Sequence, residues 1–355
     1  MQRDQTLRHA VRLLVLALAG ALVLPVAYGD SCTMQSQIPS AQREELSRVA
    51  RTLVGEVQSG DLQGLRNNTL ASVAANFDGI AHSAEALKPL IQQAGITVDQ
   101  LFAFEATQAP QGTLGSQFFC SPVNSSMTVV LNFSTLPPGK YVLAILHATG
   151  VPKPQQISLI LAESPEKQWK LAGFFTKSLM LAGQNGLWYW THAREYAQQK
   201  LEWPAWFYYQ IAEFLVDPVD FLSSPNMEKL KHEADEIRPK DLPDDKPVML
   251  QMNGTSFEVT KVDASAELGP LDFVVHYTPS DAQAAQLRDP VAARKQAIDV
   301  MTGLLAQHPG LRQAFHGVWV YADAKDVTVF ALELPMDQIP GGAQTSAPSS
   351  APSGR

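Results

Sequence analysis

The chain has 355 residues, of which 45% are apolar and 17% charged, and carries a formal net charge of −8. An acidic balance of this kind argues against nucleic acid and against anionic membrane surfaces as partners, since both demand clustered Lys and Arg. The length fits two or three domains.

Arg3, Arg8 and Arg12 make the start basic, residues 13–26 form an apolar run, and Ala27-Tyr28-Gly29 follows. That order is the pattern of a secretory signal peptide. The run has 14 residues and ends at Pro25-Val26, short of the roughly 20 that a spanning helix needs. We therefore expect cleavage near Gly29 and a soluble periplasmic or extracellular product without a transmembrane segment. A lipoprotein reading would use Cys32, but Gly29, Asp30 and Ser31 lack the Leu and small apolar pair expected before it. Cys32 and Cys120 are the only cysteines. In an oxidising compartment they are read as one disulfide, stapling a flexible N-terminal tail (30–41) to the first domain. Its long loop implies roughly 4 kcal/mol of stabilisation.

The first domain, 42–180, opens with a helix. Leu46, Val49, Ala50, Leu53, Val54 and Val57 recur at spacings of three and four, with charged residues between them. Ser59-Gly60-Asp61 stops it and starts a short helix over 62–70. A further helix is expected over 83–93 and another short one over 98–105. Strands then take over. Segments 127–133 and 141–147 flank Pro137-Pro138-Gly139 and read as a hairpin. Segments 156–162 and 168–175 flank Ser164-Pro165-Glu166-Lys167 and read as a second. Helices followed by antiparallel strands imply an α+β domain with helices on one face of a curved sheet.

Ser59-Gly60-Asp61-Leu62 between two helices, with Gln168-Trp169-Lys170-Leu171-Ala172-Gly173-Phe174 as a closing strand, resembles the nuclear transport factor 2-like (NTF2-like), cone-shaped α+β domains. The resemblance covers about 42–178. It implies a cone-like sheet whose cavity serves binding in some members and catalysis in others, so it leaves function open.

Residues 181–238 read as a helical segment. Trp190, Ala193, Tyr196 and Ala197 share one face, Trp203-Pro204 starts a second helix with proline in a permitted first-turn position, and Asp217-Pro218 ends it. The pair resembles a single tetratricopeptide (TPR)-like unit. Stacked repeats need about three copies, so the pair is expected to pack on the first domain. Another amphipathic helix is expected over 225–237. A charged, proline-rich linker, 239–247, leads to a C-terminal α+β domain, 248–336. There Asn253-Gly254 marks a hairpin, a strand spans 271–277, Asp289-Pro290 opens a helix, and two more strands close the unit. Residues 337–355 form a tail expected to be disordered, with no large apolar residue from Gly341 onward.

The chain has no His-Glu-x-x-His, Cys-x-x-Cys, calcium loop, dinucleotide fingerprint, phosphate loop or Gly-x-Ser-x-Gly elbow. Ser164-Pro165-Glu166-Lys167 matches the Ser-x-x-Lys of penicillin-recognising enzymes. It lies between strands, however, where that chemistry needs a helix start. No two histidines stand at ligand spacing, so neither metal nor cofactor is implied, although distant ligands can converge in a fold. His147, at a strand end, is the one candidate for proton transfer, with Glu105 or Asp78. The densest feature is aromatic: Trp188, Tyr189, Trp190, Trp203, Trp206, Phe207, Tyr208 and Tyr209. Helical spacing places Trp188, Trp206 and Phe207 off the principal face. These three are the candidate binding residues for a protein or peptide partner, with a structural weld as the alternative. The expected function is a non-catalytic exported binding or scaffold protein. The other reading is a small-molecule hydrolase or isomerase that uses the first domain's cavity.

Overall fold

The computed structural model describes residues 29–107, 115–122, 128–243, 246–325 and 327–341. The expected signal peptide, apart from Gly29, and tail residues 342–355 lie outside them. The fold is α+β. An eight-stranded sheet carries helices on one face, a helical segment follows, and a five-stranded sheet with its own helices closes the chain.

The first helix, α1 (Ser40–Ser59), buries Leu46, Ala50, Leu53, Val54 and Val57, the stripe its periodicity predicts. It stops at Gly60, whose φ of +80° is the left-handed conformation that glycine adopts without steric cost. Asp61 then caps α2 (Leu62–Asn67), its carboxylate accepting from the Gly64 N–H at 2.8 Å. A short turn, α3 (Ala71–Ala74), and α4 (Asp78–Ile91) complete the helical layer.

The large sheet contains β1 (Gly29–Met34), β2 (Gly95–Ala106), β3 (Ser116–Cys120), β4 (Val129–Phe133), β5 (Gly139–Thr149), β6 (Gln155–Glu163) and β7 (Trp169–Ser178). A small hairpin, β8 (Met180–Leu181) and β9 (Gln184–Asn185), leads into the helical segment. That segment is α5 (Gly186–Gln198), α6 (Glu202–Val216), the short β10 (Leu222–Ser223) and α7 (Pro225–Ile237). The strand order is β10-β4-β3-β1-β2-β5-β6-β7. Strand β5 is buried on both faces from Tyr141 to Leu146, which is why its sequence lacks alternation. Val142, Ala144 and Leu146 meet α1 and α4. Tyr141, Leu143 and Ile145 meet a second core with Phe102, Phe104 and Phe118, covered by Val219, Leu222 and Met227.

Three local expectations for this domain are corrected. Residues 98–105 form part of strand β2, not a helix. Leu101 faces the helices while Phe102 and Phe104 face the opposite core. That short apolar run has no decisive period of its own, and its long pairing with β5 settles the conformation. Segments 127–133 and 141–147 do not pair as a hairpin. β4 lies between β3 and β10, and β5 lies between β2 and β6, because the β2–β5 ladder claims the edge that a hairpin would need. Residues 30–41 are not a loose tail. β1 runs between β2 and β3, parallel to β3, with Cys32 opposite Cys120. The expected disulfide joins those two residues, whose Cα atoms are 4.7 Å apart. Such a bond fits an oxidising compartment. The Ser164–Lys167 turn joins β6 and β7 as expected, with the Lys167 N–H donating to the Ser164 carbonyl at 2.9 Å.

The C-terminal sheet has the order β11 (Val248–Met252), β12 (Thr255–Ser265), β13 (Asp272–Thr278), β14 (Gly317–Ala324) and β15 (Val327–Pro335). Asn253 and Gly254 both have positive φ, as the hairpin turn between β11 and β12 requires. Strands β13 and β14 are parallel. They are joined through α8 (Asp281–Gln286), α9 (Pro290–Gln307) and α10 (Leu311–Ala314). Asp289 caps α9 at the Val291 and Ala292 N–H groups. The expectation of a disordered tail from residue 337 is corrected for its first residues. Met336–Gln338 form a single turn, Ile339 is buried, and the Arg312 guanidinium donates to the carbonyls of Met336, Ile339 and Pro340. Residues 337–341 are therefore docked rather than free.

Candidate functional site

The aromatic segment is mostly interior. Phe207 is 3% exposed, with its ring edge-on to Phe273 at 5.0 Å and to Phe315 at 6.1 Å. The expectation that it lies on a binding face is corrected. The C-terminal sheet supplies a second apolar surface that helical spacing alone does not reveal. Trp206 is half-buried, edge-on to Phe207 at 4.9 Å, with the Arg238 guanidinium 5.8 Å above it. Trp188 is half-buried and covered by the stacked His192 ring at 3.8 Å. The helix pair thus packs chiefly on the C-terminal domain rather than the first. It shares one core with Phe257, Phe273, Tyr277 and Phe315.

Polar tips anchor the weld. Tyr208 donates to the Ala314 carbonyl at 2.7 Å, and burial raises its hydroxyl well above the ordinary range. Tyr189 donates to the Leu181 carbonyl at 3.0 Å and is pushed up to about 12 by burial. Glu233 on α7 gathers Arg194 in a two-point bond of 2.7 and 2.8 Å, the Trp190 indole N–H at 2.8 Å and the Tyr209 hydroxyl at 3.3 Å. Burial alone would raise the Glu233 carboxyl. The donors outweigh it and leave the group below its ordinary value.

Where the segment returns to the large sheet, it leaves a cleft of about 450 Å³. Phe102, Val129 and Ile145 form its floor. Val216, Pro218, Leu222 and Met227 form one wall, with Trp190 and Met34 alongside. Asp99, Gln100, Ser224 and Asn226 supply its polar groups. The β2–β5 register slips between Val98 and Gln100, which makes Asp99 a bulged residue. Bulges re-aim a side chain in this way, and no sequence pattern signals one here. Within the aromatic segment, Trp190 is the residue that lines this cleft, and its place on the principal face of α5 did not mark it as a binding residue in the sequence.

His147 meets neither of its expected partners. It pairs with Thr97 at one end of the β2–β5 ladder, whereas Glu105 pairs with Lys140 at the other, roughly 23 Å along the strand. Alternation along β5 puts His147 on the face opposite Leu146 and Ala148, which meet the helices. Asp78 starts α4 on that helical face. No dyad forms.

A second hollow, of about 280 Å³, lies between the start of α6 and the end of α9. The His308 ring stacks on Trp203 at 3.9 Å, and its Nε2 is 3.6 Å from the Asp241 carboxylate, which also accepts from the Trp203 indole at 2.9 Å. Burial lowers the His308 imidazole below its ordinary value of 6.5, against the opposing pull of Asp241. A histidine depressed by folding contributes stability that is fully present above pH 6.5 and lost as pH falls through the folded value. Between pH 7.5 and pH 5.5 the wild type is therefore expected to lose more unfolding free energy than His308→Gln. Paired urea denaturations at the two pH values read this directly, and equal losses would contradict it.

Among the described residues, Asp272, His316 and Glu333 form a group able to hold a metal ion. They come from β13, the approach to β14, and β15, so no local spacing announced them. Compared with known proteins, the chain matches no family model, no curated protein and no solved structure.

Proposed function

We propose that this chain is an exported, non-catalytic binding protein whose ligand lies in the cleft between the large sheet and the helical segment. One observation carries the reading: among the described residues, the cleft is walled by nine apolar side chains and bordered by a single ionisable one, Asp99. Ligand sites are typically apolar concavities with a few placed polar groups, and Gln100, Ser224 and Asn226 supply those. General acid–base turnover draws on a proton donor and an acceptor held close together, which weighs binding above the hydrolase or isomerase reading. The chemistry of the walls suits an apolar side chain or small apolar molecule with one hydrogen-bonding end. The Cys32–Cys120 bond supports export, with cleavage near Gly29. Helices α1 and α4 on one face of the large sheet support the resemblance to cone-shaped NTF2-like domains.

The neutral dye Nile red probes the cleft. Wild type is expected to show saturable, single-site fluorescence enhancement. Asn226→Trp, at the exposed rim, should abolish that signal without lowering the melting temperature. Trp190→Ala should weaken it by about tenfold or more, in the range of a buried aromatic anchor. Enhancement that both variants leave intact would place the dye elsewhere and contradict the proposal.

A further inference from the structure

We infer that the C-terminal domain holds a divalent transition-metal ion between Asp272, His316 and Glu333. One ligand atom from each lies within 4.8 Å of those from the other two. Metal–ligand distances of about 2.0–2.2 Å place ligand atoms about 3–3.5 Å apart, so the group needs to draw in by about an ångström. Side-chain rotation supplies a movement of that size, because the three residues sit on a firm frame.

That frame is the sheet itself. The His316 N–H donates to the Leu271 carbonyl at 2.8 Å, and its carbonyl accepts from Met336 at 2.9 Å. His316 is thereby pinned between the strands that carry the two carboxylates. Its Nδ1 lies 3.1 Å from Asp272 Oδ1. Gly317, the next residue, leaves the space in which the carboxylates meet. A Cβ there would stand 2.8 Å from Glu333 Oε1 and 3.0 Å from Asp272 Oδ1. Any side chain at this position would intrude on both oxygens at once.

Charge points the same way. Asp272 is 4% exposed, and among the described residues the ion pair it makes is with His316 rather than with Lys or Arg. Bringing a second carboxylate beside a buried one costs free energy unless a cation offsets it. Imidazole with two carboxylates suits Zn²⁺, Mn²⁺ or Fe²⁺. The His316 side chain is about half exposed, so the ion is reachable from solvent. Asp272 also borders an 80 Å³ hollow walled by Trp319 and Tyr321, which leaves room for a further ligand. This site is separate from the cleft, and neither proposal depends on the other.

Cobalt(II) chloride, titrated into the tag-free full chain purified in its exported form, tests the inference through calorimetry and the visible absorption of the bound ion. The expected result is one equivalent bound per chain. His316→Ala and Glu333→Gln should each weaken binding by at least about tenfold, and Gly317→Ala should weaken it by crowding the oxygens. His276→Ala, a histidine on the same sheet bonded instead to Asp323, should leave binding unchanged. His316 is exposed, so its variant keeps the test valid even if changes at buried Asp272 unfold the domain. No saturable binding, or binding that His316→Ala and Glu333→Gln leave intact, overturns the inference.

Discussion

Phe207→Ala is expected to lower the unfolding free energy by about 3–5 kcal/mol, the usual cost of deleting a phenyl ring from a packed interior. The ring is 3% exposed and meets Phe273 and Phe315 from the C-terminal domain edge-on. Its loss removes buried area and leaves a cavity that the rigid β13 and β14 cannot close. Trp206→Ala, one residue away, should cost markedly less, because that ring is half-buried and its Arg238 contact is at the surface. Urea denaturation followed by circular dichroism separates the two. A small effect at Phe207 together with a larger one at Trp206 would contradict the assignment of Phe207 to the core.

The second large effect is expected at the disulfide. Cys32→Ser combined with Cys120→Ser should cost about 4–5 kcal/mol, from the loop-closure entropy of an 88-residue separation. The loss reaches beyond entropy, because Cys120 is fully buried and β1 is an interior strand between β2 and β3. Freed from Cys120, β1 retains its backbone pairing and the packing of Met34. Dithiothreitol should destabilise the wild type by a similar amount and leave the double variant unchanged. A wild type indifferent to reductant would contradict a stabilising role for the bond.

What the sequence revealed follows from where the physical signal was local. The α1 stripe, the Gly60-Asp61 boundary, the Ser164–Lys167 turn, the Asn253-Gly254 turn and the Asp289-Pro290 start each depend on a few adjacent residues. The cysteine pair was legible because two cysteines allow one pairing. Strand β2 was misread because a short apolar run fits helix or strand equally, and β5, more than thirty residues away, decides between them. Phe207 was misplaced for a related reason. Helical periodicity orders the faces of α6 but does not say how many neighbours that helix will have. The cleft and the Asp272–His316–Glu333 group depend wholly on tertiary convergence. A bulge at Asp99 and a missing side chain at Gly317 shape them, and neither leaves a pattern in the chain.

A photoreactive amino acid placed at Asn226, on the rim of the cleft, tests the binding reading most directly in the native cells. Illumination followed by mass spectrometry should yield one discrete adduct, lost when Trp190 is changed to Ala. The same group placed at Val291, which is 77% exposed and on α9 of the C-terminal domain, should yield no such adduct. Equal labelling from both positions, or no adduct from Asn226, would contradict a ligand in the cleft.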